Sequence, residues 1–283
     1  MTQSADTALE ALLKRDRVIV GATLGVIVLA CWAYIVWLSM RMQSPSPAMG
    51  GGMTGVTGGG DMGGMLMPLL GAWTAAEAFL MFIMWATMMV GMMLPSASPV
   101  ILLYARVAQQ ASKDGKPFAP TSWFASGYVA SWLGFSVLAT GGQWLLERAA
   151  LLTPMMQSAS PIFGAAVLIG AGLHQWTPLK DMCLAHCQAP FAFIQSHGGF
   201  KRDASGSFFL GLRHGLYCVG CCWALMALLF VGGVMNVLWI AGLAALVFVE
   251  KLLPRGRVIA RSVGAALIVA GIVVLAGGLR PTG

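Results

Sequence analysis

From residue 18 onward the chain alternates long apolar runs with short polar or basic turns. A helix needs about 20 mostly apolar residues to cross the hydrocarbon core of a bilayer. On that rule seven segments qualify: Val18–Met40, Trp73–Met93, Ser122–Leu146, Ile162–Trp176, Phe208–Phe230, Val234–Val249 and Val258–Leu279. The fourth and sixth are short and are expected to tilt little or to extend into their flanks. Pro95 and Pro99 follow the second segment. Proline inside a helix lacks a donor and crowds the carbonyl four residues back. The second helix is therefore expected to break there and resume as a short piece through Tyr104. The predicted fold class is all-α, a polytopic transmembrane helix bundle of about seven spans.

Composition points the same way. Of 283 residues, 58% are hydrophobic and 10% carry a charge, where a soluble domain has about 25% charged residues. So few ionisable groups cannot build a water-facing surface. Soluble enzyme folds, disordered scaffolds and disulfide-stapled secreted modules are excluded. The 36 glycines fit as well, since glycine is more frequent in membrane helices than in soluble ones.

The net charge of +7 does not imply a nucleic-acid partner, because Lys and Arg fall in clusters between apolar runs. With the N-terminus inside, the inner segments hold Lys14, Arg15, Arg17, Arg106, Lys113, Lys116, Lys180, Lys201, Arg202, Arg213, Lys251, Arg255, Arg257 and Arg261. The outer segments hold Arg41, Arg148 and Arg280. Cytoplasmic loops carry the excess of Lys and Arg, so the N-terminus is expected to be cytoplasmic, with the lipid bilayer as the first partner. The first apolar run is too long for a signal-peptide core, and no small-residue cleavage site follows it.

Three parts result. Residues 1–40 are the cytoplasmic N-terminus and first span, 41–71 an external loop, and 72–283 a six-span membrane domain. The loop spreads Met42, Met49, Met53, Met62, Met65 and Met67 among glycines. So Gly-rich a tract buries no core and is expected to be flexible. Thioether sulfur suits Cu(I), which makes copper capture one reading and a loose linker the plainer one.

Five of the six cysteines lie within forty residues of one another, with three of the four histidines among them. Thr177 before Pro178 reads as an N-cap and first-turn proline, so a short helix is expected to start there and to end near Pro190. It should lie at the inner surface or fold back into the bundle. On it Cys183 and Cys187 stack at i and i+4, and His186 borders that face. Farther on, His214, Cys218, Cys221 and Cys222 fall within about a 100° arc of one helix, climbing about 12 Å along its axis. His174, near the inner end of the fourth span, could point at the same place. Cys31 reads as a lipid-facing or packing residue.

Thiolate and imidazole together suit copper(I), zinc or iron chemistry. The spacing is not that of a zinc finger. Cys218 and Cys221 also form a C-x-x-C, which would allow dithiol exchange with Cys183 and Cys187 as a relay. Cysteine also packs as a small apolar residue. Ionisable groups at membrane depth are functional candidates by default, which favours a site.

The runs MWATMMVGMMLPSASP, HQWTPLKDMCLAHCQAP and GLYCVGCCWALM, with MNVLWI and VFVEKLLP, resemble a bacterial family known as predicted metal-binding integral membrane proteins. The resemblance runs from about Trp73 to the C-terminus. It implies a multi-pass protein of the bacterial inner (plasma) membrane with a metal site, and no assigned reaction. Its motif residues here are Cys183, Cys187, Cys218, Cys221 and Cys222.

Glu77, one turn into the second span, reads either as a ligand or proton carrier or as a hydrated interface residue. Met81, Met84 and Met88 form a stripe that continues through Met89, Met92 and Met93. Facing inward, it would link the Met loop to the cysteines, but a compliant packing surface is the plainer account. Glu250 and Lys251 read as an interface pair. No hydrolase or phosphoryl-transfer motif is present.

Three functions remain open. The first is a metal-handling protein, with copper favoured over zinc or iron, that transports, senses or delivers to a membrane or periplasmic metalloprotein. The second is a membrane redox enzyme using a bound metal or dithiol–disulfide exchange. The third is an assembly partner whose cysteines merely pack.

Overall fold

Each of the seven apolar segments contains a helix in the computed structural model, which describes residues 2–43, 73–113, 119–153 and 156–278. The helices are α1 (Thr2–Gln43), α2 (Ala75–Lys113), α3 (Thr121–Arg148), α4 (Pro161–His174), α5 (Pro178–Gln188), α6 (Pro190–Ser196), α7 (Ala204–Ala227), α8 (Leu229–Gly232), α9 (Val237–Leu252) and α10 (Gly256–Gly278). Among the described residues there is no strand, only an isolated bridge between Leu152 and Ser158. The Met/Gly-rich loop lies almost wholly outside the described residues.

Four stretches are long and apolar enough to cross a membrane: Val18–Arg41, Ala75–Ala111, Ala204–Gly232 and Gly256–Gly278. The pair α4 and α5, bent by 63°, makes a fifth if it is one broken span. The remaining candidates differ for physical reasons. The helix α9 has 16 residues, short of a full crossing. Long enough at 28 residues, α3 is diluted by Ser126, Ser131, Ser136, Thr140 and Gln143. Large apolar side chains are nevertheless exposed around the outside, among them Leu29, Leu138, Leu238 and Val273. A surface of that kind suits a hydrocarbon solvent better than water.

The helix starts are specified locally. Ser160, Thr177, Asp203 and Asn236 each accept a hydrogen bond from a first-turn backbone N–H, as N-cap side chains do. The cap at Thr177 is the one the sequence predicts. Asp203, outside the span, accepts from Gly206 N–H at 2.6 Å and from the Ser205 hydroxyl at 2.8 Å. These bonds hold its carboxyl below the usual carboxylate range.

The expected break at Pro95 and Pro99 does not occur, and α2 runs through both prolines to Lys113. Each proline frees the carbonyl four residues back, and each freed carbonyl has found a side chain. Gly91 O accepts from Trp32 Nε1 of α1 at 3.3 Å, and Pro95 O accepts from the Ser98 hydroxyl at 2.7 Å. Neighbouring helices and Ser/Thr side chains commonly supply freed groups in this way within membranes.

The most extensive helix–helix contact among the described residues is between α3 and α7. Gly127 of α3 meets the Phe208 carbonyl, and Gly211 of α7 meets the Phe124 carbonyl, so close that a Cβ at either position would collide with backbone. Small residues at such crossings let two backbones approach. Around this pair the core gathers Met84, Met88, Met89, Met92 and Met93 of α2, together with Trp85, Tyr128 and Trp132, all at most 5% exposed. The methionine stripe therefore faces inward.

Candidate metal centre

Beyond Thr177 the bend between α4 and α5 turns α5 back onto α7. That contact brings the two halves of the cysteine set together. Cys187 of α5 lies close enough to Cys218 and Cys221 of α7 for the thiols to interact electrostatically. Cys222 Sγ lies 3.1 Å from Cys221 Sγ, and Cys218 precedes Cys222 by one turn on the same face of α7. The Cys221 thiol also donates to Cys218 O at 3.2 Å. Cys218, Cys221 and Cys222 are at most 2% exposed, and all six cysteines are free thiols. The three α7 thiols are dry, polarisable and reduced, and Cys187 is half-buried beside them.

The other predicted site residues lie around it. Cys183 is buried on the same face of α5, but its sulfur packs on the α7 backbone, where a Cβ at Gly220 would lie 2.8 Å away. His214 is one turn before Cys218, 3% exposed, ringed by Phe193, Tyr128 and Phe124, with Nδ1 unpartnered among the described residues. His174 is turned to Trp223, whose Nε1–H donates to His174 Nε2 at 3.1 Å. His186 stacks on Tyr217, with ring centroids 4.3 Å apart. Cys31 packs its Cβ against Gly91 of α2. Among the described residues, no group of three or more His, Cys, Asp or Glu side chains is set to hold a metal ion.

Two readings of charged residues change. Glu77 is exposed and forms a capping box: its carboxylate accepts from Thr74 N–H at 2.7 Å and from the Thr74 hydroxyl at 2.9 Å. Its Thr-x-x-Glu spacing is that of the motif, and both partners serve the start of α2. Glu250 and Lys251 do not pair with each other, because neighbours on a helix point about 100° apart. Glu250 instead meets Lys180 of α5 at 2.6 Å, with both side chains at most 1% exposed. Its second oxygen accepts from Gln175 Nε2 at 3.2 Å. Lys180 Nζ also donates to Cys221 O at 2.9 Å. The ion pair thus locks the α4–α5 bend to the backbone that carries the thiols.

Lys251 turns the other way. Its Nζ lies 2.8 Å from Cys218 Sγ and 3.3 Å from Ser96 Oγ of α2. The Tyr128 hydroxyl completes this shell, 3.1 Å from Cys218 Sγ and donating to Met93 O at 3.1 Å. Sequence reasoning missed Tyr128, Lys180 and Lys251 as parts of the site. Lys251 stands in the last turn of α9, where a basic residue reads as an ordinary helix-end charge, so little in the sequence signals that its side chain turns inward.

An all-helical membrane-type bundle with a buried set of free thiols is the class that this geometry defines. A family model described as PpoB2, copper chaperone, matches residues 82–274, a range that holds α5, α7, α9 and every thiol of the cluster. The chain belongs to that family. No curated protein and no solved structure matches it.

Proposed function

We propose that this protein carries copper(I) as cargo on the buried thiols Cys218, Cys221 and Cys222 of α7 together with the half-buried Cys187 of α5, and passes it to a metalloprotein at the membrane. The observation that carries the reading is the packing of α5 on α7, which sets Cys187 beside the buried α7 thiols, within a family described as copper chaperones. Thiolate is a soft donor that selects Cu(I), so the donor set fits the cargo. Lys251 supplies the positive charge that a copper held by two thiolates needs in a low-dielectric core. His214 and Cys183 border the cluster as reserve donors, while His174 lies outside it, paired to Trp223.

The same reading includes the topology. Seven crossings with a cytoplasmic N-terminus, in the bacterial inner membrane, put the cluster toward the cytoplasmic half. The basic residues from Lys180 to Arg213 and from Lys251 to Arg261 support that orientation. The six-span part, residues 72–283, carries the site, with 41–71 as an external loop.

Elemental analysis of detergent-purified protein tests the reading, with a Cys218→Ser/Cys222→Ser variant beside the wild type. Near-stoichiometric copper that the variant loses is the expected result. No copper in either, after reconstitution with copper(I) under reducing conditions, would overturn it.

A further inference from the structure

His197 is the one histidine outside the sequence-predicted set, and the structure places it beside His186. Their ring centroids are 6.1 Å apart. Each is anchored in the same way. His186 Nδ1 lies 2.8 Å from Met182 O, and His197 Nδ1 lies 2.8 Å from Phe193 O, in both cases the carbonyl four residues back. A carbonyl only accepts, so Nδ1 of each ring donates, and the neutral ring leaves its lone pair on Nε2. Neither Nε2 has a hydrogen-bond partner among the described residues.

Imidazoles prepared to bind a metal share this arrangement. A backbone carbonyl fixes the tautomer through one nitrogen, and the other nitrogen is the ligand. Two nitrogen–metal bonds of about 2.0 Å each, added to the two half-rings, span roughly the separation seen here. The rings are also held by packing: His186 lies parallel to Tyr217 at an angle of 4°, and His197 packs on Phe193 at 4.5 Å. His186 lines a cavity of about 320 Å³ with Ala185, Ala189, Ala192, Phe193 and Ser196. Both histidines are half-buried, unlike the α7 thiols, so a metal ion could reach them without unfolding the core.

We propose that His186 and His197 form a second, two-coordinate copper(I) site at the surface end of α5 and α6, distinct from the buried thiols. It rests on the copper reading and extends it by naming where the cargo is first held. His186 and Cys187 are consecutive on α5, about 100° apart around it. The helix that presents the surface imidazole therefore also presents a thiol of the cluster. Imidazole binds Cu(I) less selectively than thiolate does, which makes the pair the weaker of the two sites.

The test uses the full chain in detergent, titrated anaerobically with copper(I) as its acetonitrile complex against a chromophoric copper(I) chelator. Four proteins are compared: wild type, C218S/C222S, H186F/H197F, and the combination of all four changes. Phenylalanine keeps the ring packing on Tyr217 and Phe193. The expected result is that C218S/C222S retains a weakly held copper with nitrogen-donor character by X-ray absorption. Adding H186F/H197F should lower its affinity by about tenfold or more. Retained copper that the histidine changes leave untouched, or no copper at all in C218S/C222S while wild type binds it, would overturn the second site. No copper in wild type would instead remove the copper reading itself. Should C218S/C222S fail to fold, H186F/H197F alone decides: slower copper acquisition at unchanged tight stoichiometry is expected, and an unchanged rate overturns the proposal.

Discussion

Lys251 Nζ lies 2.8 Å from Cys218 Sγ in the centre of the bundle, and among the described residues no carboxylate pairs with it. An ammonium taken out of water costs several kcal/mol unless something compensates it. The other groups around it are the Ser96 and Tyr128 hydroxyls and the remaining thiols. The position has a use once a thiolate-bound cation is considered. Two thiolates and one Cu(I) carry a net negative charge, which Lys251 neutralises on the spot.

Replacing Lys251 with Met keeps the stem and removes the charge. Copper affinity should fall by about 10- to 100-fold, the usual effect of losing a group that supports the metal ligands. Chelator competition on the purified variant measures this. Unchanged affinity would show that the ammonium only packs.

Lys180 and Glu250 form the other buried charge arrangement, joining α5 to α9 at 2.6 Å. Breaking a buried pair from one side costs about 3–5 kcal/mol, because the remaining charge is stranded. Glu250→Gln and Lys180→Met should each lower the unfolding temperature markedly, whereas Lys180→Met with Glu250→Leu should recover most of the loss. Thermal unfolding in detergent reads all three. If the double change is as damaging as the sum of the singles, the pair is not a coupled unit.

Helix existence was legible in the sequence because apolar run length is a direct constraint of the bilayer. The N-cap at Thr177 and the start of α5 were legible because capping is local chemistry. The uninterrupted α2 was not, since its prolines are rescued partly by Trp32, fifty-nine positions from Gly91. The arc of His214, Cys218, Cys221 and Cys222 followed from helical geometry, and all four side chains are buried. That Cys187 would reach that arc, and Cys183 would stop at Gly220, depended on a 63° bend that no periodicity encodes. His174 is turned to Trp223 and His186 stacks on Tyr217, contacts the sequence does not encode. Rotation about a short helix is set by tertiary packing, here by Trp223 and Tyr217.

The contact of α3 with α7 yields a steric prediction. At Gly127 a Cβ would collide with the Phe208 carbonyl, whereas at Gly134, two turns farther along the same helix, it would meet nothing within 4 Å. Gly127→Ala should therefore destabilise by about 1–3 kcal/mol, the range for overpacking a tight contact. Gly134→Ala should be neutral or mildly stabilising through helix propensity. Thermal shifts of the two variants compare one substitution at two sites on one helix. Equal shifts would mean that α3 and α7 do not approach as described.

Asp203 gives the pH dependence that can be signed. Its carboxyl is held below the usual carboxylate range by Gly206 N–H and the Ser205 hydroxyl at the start of α7. A depressed carboxyl contributes stability that is full above its unfolded-state value and is lost as pH falls through its folded-state value. Wild type should therefore lose helix-start stability on acidification below the ordinary aspartate range. Asp203→Asn keeps an acceptor for the cap but has no proton to gain there. Unfolding temperatures of the two proteins, followed from neutral pH down into that range, should converge. The wild type falls faster because protonation removes the carboxylate acceptor that caps α7. Parallel curves would mean that the charge at Asp203 does not contribute to the cap.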